Sequence, residues 1–340
     1  MPQKTKILVT GGAGYIGAHT LVDLIETDFD VVCVDNFMRS DSVLLEGIKK
    51  ITGREVKNYE IDLTDEAATF GLFAAEPNIV GVIHFAALRS VGESTADPIG
   101  YFKNNLNSLL NVLAAMKKFD IKNFIFSSSC SVYGNTTVLP VSEDNPLQSA
   151  ESPYARTKQM GEQIIIDFAP SFPGFAATLL RYFNPAGAHA SLHIGERRFY
   201  AQKSLVPAIA IAAKQNLPIS VHGTDYPTRD GSCIRDYIHV VDLANAHTKA
   251  LQFLLAKKNK IAVEIFNLGI GNGVSVLEAI AAFERVTDKK LLLALSGRRE
   301  GDVVAVYADY KKAQEELGWQ PILGIDEIML SAWNWEQTLS

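Results

Sequence analysis

Cysteine is scarce: Cys33, Cys130 and Cys233 are the only three in 340 residues. They are too scattered for a disulfide framework, and none stands in a CxxC spacing that would hold zinc. They read as small buried residues of a reducing compartment. Long apolar runs are missing as well. LVPAIAIAA at 205–213 is typical of the longest, and it is far too short to span a bilayer. The opening MPQKTKILVTGG has one brief apolar run before its glycines and does not read as a secretory signal. Positive charge is not in excess: the formal net charge is −6, so no basic surface is expected for nucleic acid or anionic lipid. A phosphate ligand would have to be held by local features. No internal repeat or low-complexity segment is present. What remains, with 47% hydrophobic and 21% charged residues, is an ordinary soluble globular enzyme, cytoplasmic by default. The length suits two domains, or one α/β domain with a large cap.

The first half alternates β-rich runs with helical segments. KILVT (6–10), VVCVD (31–35), KNYEID (57–62), IVGVIHFA (79–86), NFIFSSS (123–129) and ATLLRYF (177–183) predict strands. Most are almost continuously apolar, as strands covered by helices on both faces must be. Segments 15–27, 65–75, 98–118 and 154–168 have helical spacing; Ile16, Leu21, Leu24 and Ile25 make one face of the first. This alternation predicts a parallel, doubly wound sheet. Beyond residue 184 the regularity breaks into Gly- and Pro-rich loops, with helices near 205–215, 275–287 and 325–338. The expected division is 1–183 as a cofactor domain and 184–340 as a smaller mixed α/β substrate lobe. That boundary is soft, since later strands can return to the first sheet.

Strand 6–10 runs straight into Gly11-Gly12-Ala13-Gly14-Tyr15-Ile16-Gly17 and a helix. Glycines 11, 14 and 17 allow a tight turn, close backbone approach to a pyrophosphate, and packing of helix on strand. Free N–H groups at the helix start then meet the phosphate charge. A glycine pattern alone is weak; the strand before and helix after make it a Rossmann-type dinucleotide signature. Asp35 closes the second strand, 18 residues past Gly17. A carboxylate there accepts hydrogen bonds from the adenosine ribose and repels a 2′-phosphate, favouring NAD. Asp62, ending the third strand, is placed either to meet the adenine or to cap the helix that follows.

Tyr154 and Lys158 lie at i and i+4 of one predicted helix, so their side chains share a face. Serines 127–129 end the strand before it. A tyrosine with its ordinary pKa of about 10 is a poor base. A neighbouring ammonium and a cationic nicotinamide both favour the phenolate, so the pair predicts a lowered phenol. Ser129 is placed to relay a proton between Tyr154 and a substrate oxygen.

On these residues the chain resembles the extended short-chain dehydrogenases/reductases, and within them the UDP-glucose (UDP-galactose) 4-epimerases. The resemblance covers nearly the whole sequence. It is carried by TGGAGYIGAHT (10–20), HFAALRSVGES (84–94), NFIFSSSCSVYG (123–134), SPYARTK (152–158), LRYFNPAGAH (180–189), DYPTRDGSCIRDYIHVVDLA (225–244) and RREGD (298–302). DYPTRDG followed by RDYIHV is the most particular of these to the epimerases. The resemblance implies an NAD site lined by Tyr15, Ile16, Asp35, Asn36, Asp62, Leu63, Phe85, Ala86, Ala87, Arg89, Asn104, Phe183 and the catalytic trio Ser129, Tyr154 and Lys158. It implies that Asn184, Arg235, Arg299 and Asp302 hold a UDP-sugar, the arginines taking the diphosphate, because a guanidinium fork matches phosphate oxygens. A homodimer through helices of the cofactor domain is implied as well.

Four positions depart from the commonest epimerase pattern. Val306 stands where strict UDP-glucose/UDP-galactose enzymes carry a tyrosine. Ser204-Leu205 replaces an Asn-Leu pair, His222 replaces an aromatic beside the uracil, and Arg89 replaces a lysine. The first two leave room at the sugar, which predicts acceptance of UDP-GlcNAc and UDP-GalNAc. Related dehydratases read Thr-Asp-Glu where this chain has Ser129-Cys130-Ser131, and decarboxylases place Glu at the Ser131 position. Without those acids, elimination lacks its acid/base pair. Two further functions stay open at this point, a reductase that exchanges NAD freely and a non-catalytic dinucleotide sensor. A sensor would not need the intact Tyr154/Lys158 pair.

Overall fold

The computed structural model describes residues 4–199, 204–299 and 302–339. Strand and helix alternate through the first half: β1 (Lys6–Thr10), α1 (Tyr15–Glu26), β2 (Asp30–Val34), α2 (Val43–Thr52), β3 (Lys57–Tyr59), α3 (Glu66–Ala75), β4 (Ile79–His84), α4 (Val91–Ala96), α5 (Pro98–Lys118), β5 (Asn123–Ser127), α6 (Pro153–Phe168) and β6 (Ala176–Tyr182). A short 3-10 turn, Cys130–Tyr133, follows β5. The second half adds β7 (Asn184–Ala186), α7 (Leu205–Gln215), β8 (Ile219–His222), β9 (Ile234–Arg235), β10 (Tyr237–His239), α8 (Val240–Leu255), β11 (Val263–Leu268), β12 (Val274–Ser275), α9 (Val276–Thr287), β13 (Leu293–Ser296) and α10 (Ile325–Thr338). All six expected strands are present. β3, β4 and β5 end earlier than the apolar pattern suggests, because the residues beyond Tyr59, His84 and Ser127 turn outward into loops at one edge of the sheet.

Seven strands make one sheet in the order β11-β6-β5-β4-β1-β2-β3, every neighbour parallel. The chain order reverses between β1 and β4. Loops leaving these two strands therefore diverge at their C-terminal ends, the crevice where open α/β sheets take ligands. Both faces of the sheet are covered, and successive residues divide between them. Ile7, Val9, Val31 and Cys33 join a core with Leu21 of α1, Ile48 of α2 and Leu251 of α8. Leu8, Val32, Val34 and Val82 join the opposite core with Leu72 of α3, Val112 of α5 and Ile165 of α6. Burying a Leu, Ile or Val side chain stabilises by about 1.5–3 kcal/mol, which is why the strands read as continuous apolar runs.

A third core lies in the second lobe, where α7, α9 and α10 pack with β8 and β10 around Ile209, Val221, Phe283, Ile328 and Met329. The two-stranded pairs β7–β10, β8–β13 and β9–β12 complete it. The lobes are not one cut in the chain: β11 pairs with β6 in the large sheet, and α8 packs on α1. Helices α2, α4 and α8 have no counterpart in the sequence pattern read above.

Candidate active site

Gly11 adopts φ +67°, and a Cβ there would stand 2.8 Å from the Ala86 nitrogen. The glycine turn and the loop after β4 therefore touch backbone to backbone, closed further by Phe85 N–H donating to Thr10 O at 3.0 Å and Ala86 N–H to Thr10 Oγ1 at 3.2 Å. No side chain caps α1, and its first turn holds no acid. Those first N–H groups and the helix dipole favour an anion. Asp35 lies over the turn, accepting from Ala13 N at 3.1 Å, Phe37 N at 3.0 Å and Ser40 Oγ at 2.6 Å. Burial raises its carboxyl, and these bonds oppose the rise. A cramped glycine turn, an uncapped helix start and a carboxylate lying over that turn fit NAD.

The other residues expected at that site make the following contacts. Asp62 accepts from Thr64 N at 2.8 Å, while the cap of α3 is Asp65, so Asp62 is not the capping residue. Leu63 is buried, and Asn36 turns its own loop by accepting from Met38 N. Phe85 packs on the His247 ring with centroids 4.7 Å apart. Arg89 donates to Glu196 at 2.6 Å, and Asn104 donates to Asn105 at 3.0 Å. Asn105 in turn bonds Leu88 in both directions and Thr157 of α6, which fixes the loop carrying Ala86 and Ala87 against the Tyr154 helix. Tyr15 sends its phenol across to Gly187 O at 2.6 Å, joining α1 to the second lobe.

Ser152 caps α6 by accepting from Ala155 N at 3.1 Å, and Pro153 takes the first helical position. Both choices favour a helix start there. They put Tyr154 in the first turn and Lys158 one turn on. Lys158 Nζ donates to Ser127 O at 2.6 Å and lies 5.9 Å from the Tyr154 ring centroid. Ser129 Oγ accepts from Ser131 N at 3.2 Å and lies near enough to Tyr154 to pull its phenol down. The trio is together. The expected lowering of the phenol is not met in the chain by itself: burial dominates and holds Tyr154 well above its ordinary value, with Tyr182 adding to the rise. Burial also brings Lys158 down to about 8, against the pull of Glu162. Desolvation penalises both charged forms, and the ammonium alone does not overcome it.

On the second lobe, Asn184 donates through both its backbone and side-chain nitrogens to Asp236 O, at 3.0 and 2.9 Å. Arg235 and Arg299 converge on Asp302, at 3.4 and 2.7 Å, so two guanidinium groups share one carboxylate. This leaves a local positive excess suited to a diphosphate. Val306 packs with Phe183, Cys130 and Tyr133, against the turn that Ser129 opens. Ser204 starts α7, Leu205 enters the third core, and His222 ends β8 with Nδ1 2.9 Å from Ser296 Oγ. Sequence reasoning passed over Glu162, Arg181 and Tyr133, which form a buried network beneath the trio. Glu162 was findable, standing i+4 from Lys158. A charged Arg181 inside a doubly covered strand also signals a buried partner.

A family model described as GDP-mannose 4,6-dehydratase matches residues 8–331. The UDP-glucose 4-epimerase of Bacillus subtilis is 45% identical, over 98% of this chain and 97% of its own. This chain belongs to the UDP-glucose 4-epimerase family. Crystallographic relatives agree on the fold. The Bifidobacterium longum UDP-glucose 4-epimerase, solved with NAD+ and UDP, superposes with a TM-score of 0.92 at 45% identity, covering 98% of each chain. The UDP-Glc/GlcNAc 4-epimerase of Campylobacter jejuni gives 0.84 at 35% identity, covering 98% of this chain and 100% of its own. Within that family the Ser129-Cys130-Ser131 turn has no acid for the dehydratase chemistry that the model's description mentions.

Proposed function

We propose that this chain interconverts UDP-glucose and UDP-galactose by inverting C4, with NAD bound throughout. The observation carrying the reading is the meeting of Tyr154, Lys158 and Ser129 at the C-terminal edge of the sheet, the same edge that bears the glycine turn, in a member of this family. Gly11, Gly14 and Gly17 would receive the pyrophosphate and Asp35 the ribose, whose 2′-hydroxyl this carboxylate suits better than a phosphate. Bound NAD would supply what no side chain here can, a hydride acceptor at C4 that later returns the hydride to the other face of a transient 4-keto sugar.

The chain's residues do the rest. Tyr154 takes and returns the 4-hydroxyl proton, directly or through Ser129. Lys158 holds the Ser127 carbonyl and supplies positive charge beside the phenol. Arg235 and Arg299 grip the diphosphate, leaving the sugar free to turn about its phosphate linkage. Replacing Tyr154 with Phe lowers kcat by several orders of magnitude while UDP still binds; near-normal turnover of UDP-galactose by that variant ends the assignment.

Val306 favours a wider substrate range. A valine is smaller than the phenol that strict enzymes carry at this position, so UDP-GlcNAc and UDP-GalNAc are read as substrates too. We take residues 1–183 as the cofactor domain and 184–340 as the UDP-sugar lobe, with α8 and β11 lent back to the first. A homodimer through α5 and α6 is favoured by Leu110, Met160 and Ile166, which lie exposed on those helices. Three unpaired cysteines suit a reducing compartment such as the cytoplasm. No helix among the described residues is long and apolar enough to cross a membrane.

A further inference from the structure

Tyr154 and Lys158 are not the end of their stripe. Glu162 follows one turn later on the same face of α6, buried to 2% exposure, opposite Arg181 of β6 at 3%. Arg181 grips it with both arms of its fork, Nε to Oε1 at 2.9 Å and Nη2 to Oε2 at 2.6 Å. Ser128 Oγ donates to the same Oε1 at 2.5 Å. The remaining arm of Arg181 donates to Tyr133 Oη at 2.9 Å, and that hydroxyl donates to Asn267 Oδ1 of β11 at 2.7 Å.

A buried ion pair seldom adds net stability over apolar residues of the same volume. A planar bidentate fork does fix orientation. Here it fixes the parts that carry the reaction: Ser128 immediately precedes Ser129, Tyr133 closes the turn that Ser129 opens, and both are tied to the helix bearing Tyr154. We propose that Glu162 is a positioning residue of this site: gripped by Arg181, it keeps the serine turn in register with the Tyr154 helix and keeps Lys158 charged. The proposal rests on the C4-epimerase reading above.

The electrostatic part follows from what faces Lys158. β5 presents the Ser127 carbonyl and the Phe126 ring, whose centroid is 5.0 Å away. β4 presents His84, which burial and the Lys158 charge push down to about 3, so it is neutral. β6 presents Tyr182, hydrogen-bonded to Ser127 and raised by burial to about 12, also neutral. On its own helix Lys158 has the raised Tyr154 phenol and Glu162. Glu162 is the group whose charge supports the ammonium against burial. Arg181 lies beyond it, so removing the carboxylate charge leaves one buried cation facing another.

The test is the pH profile of the NAD-loaded enzyme turning over UDP-galactose. Glu162→Gln keeps the shape and an oxygen for Ser128 but removes the charge. Its kcat falls, with KM within about twofold, and the alkaline limb of kcat moves acidward by about one pH unit or more. Glu162→Asp restores the charge on a shorter arm; the limb returns while kcat stays below the parent's. A parent-like pH profile for Glu162→Gln in an active parent overturns the proposal. If that variant yields no folded protein, Ser128→Ala decides, since it removes only the strand's bond to Glu162. A reduced kcat at unchanged KM supports the positioning role, and a parental kcat overturns it. A parent inert toward every UDP-sugar sinks the function itself, and the proposal with it.

Discussion

Two glycines of the same turn should fail in different ways when a methyl group is added. Gly17 lies inside α1, where alanine gains about 1 kcal/mol of helix propensity. Against that gain, its new Cβ would stand 2.7 Å from Gly12 Cα and closer still to Gly11 O, both backbone atoms that cannot rotate away. Overpacking of this kind costs about 1–3 kcal/mol, and more when only backbone can yield. Gly17→Ala is therefore expected to destabilise by a net ~1–2 kcal/mol, a fall of about 1–3 °C in Tm for a chain this size. Gly14 has φ −77° and ψ 173°, a conformation open to any residue, and its Cβ would meet only Gly11 O, at 3.1 Å. Gly14→Ala should thus fold with at most about 1 kcal/mol of loss. Its methyl group stands at the uncapped helix start, where a pyrophosphate must come close, so NAD affinity should fall at least about tenfold, worth about 1.4 kcal/mol. Thermal unfolding and calorimetric NAD titration of nucleotide-free protein separate the two. A Gly17→Ala protein with parental Tm and NAD affinity refutes the packing argument; a Gly14→Ala protein with parental affinity refutes the placement of the phosphate.

The remaining predictions concern charge and substrate size. Burial alone would raise Glu76, but hydrogen bonds from Lys57, Lys6 and Tyr59 outweigh it and hold the carboxyl at about 2, against an ordinary 4.5. Because the folded value is depressed, the stabilisation is present above the unfolded value and is lost as pH falls from about 4.5 toward about 2. Discounted for the exposed Lys57, it is about 1–2 kcal/mol. Glu76→Gln should lower the urea midpoint at pH 7, with the gap to the parent closing in acid; a gap constant with pH contradicts the assignment. The parent should turn over UDP-GlcNAc, and Val306→Tyr should reduce that activity at least about tenfold while sparing UDP-galactose. No N-acetyl turnover in the parent defeats the idea.

The sheet was legible because its strands are buried on both faces and therefore almost wholly apolar. The helix α8 was not, because VVDLANAHTKALQFLL mixes Asp242, His247 and Thr248 among its apolar residues, yet all three are buried. Asp242 is accommodated by accepting the Ile322 and Leu323 N–H groups, partners eighty residues away in sequence that no local pattern reveals. The small paired strands of the second lobe, two to four residues each, are shorter than any periodicity can register. In the site, Tyr154 and Lys158 announce themselves by helical spacing. The convergence of Arg235 and Arg299 on Asp302 joins residues more than sixty positions apart, so spacing gives no hint of it. The direction of the Tyr154 shift was also hidden, since it depends on how far the fold desolvates the phenol.

That direction bears on how the site is controlled. Burial pushes the Tyr154 phenol up and the Lys158 ammonium down, opposing the charged form of each, although Lys158 at about 8 still carries its charge at neutral pH. A tyrosine so placed stays protonated by itself at neutral pH, and Lys158, whose ammonium donates to Ser127 O, does not reverse this. A further positive charge brought beside the ring would favour the phenolate, and in this dry pocket it would act more strongly than in water. The oxidised nicotinamide carries such a charge and the reduced one does not. With NAD bound, readiness of Tyr154 would therefore be coupled to the redox state of the ligand: Tyr154 would accept a proton best beside the oxidised ring and return it best beside the reduced one. Burial that looks adverse for a general base would then make the two transfers depend on each other.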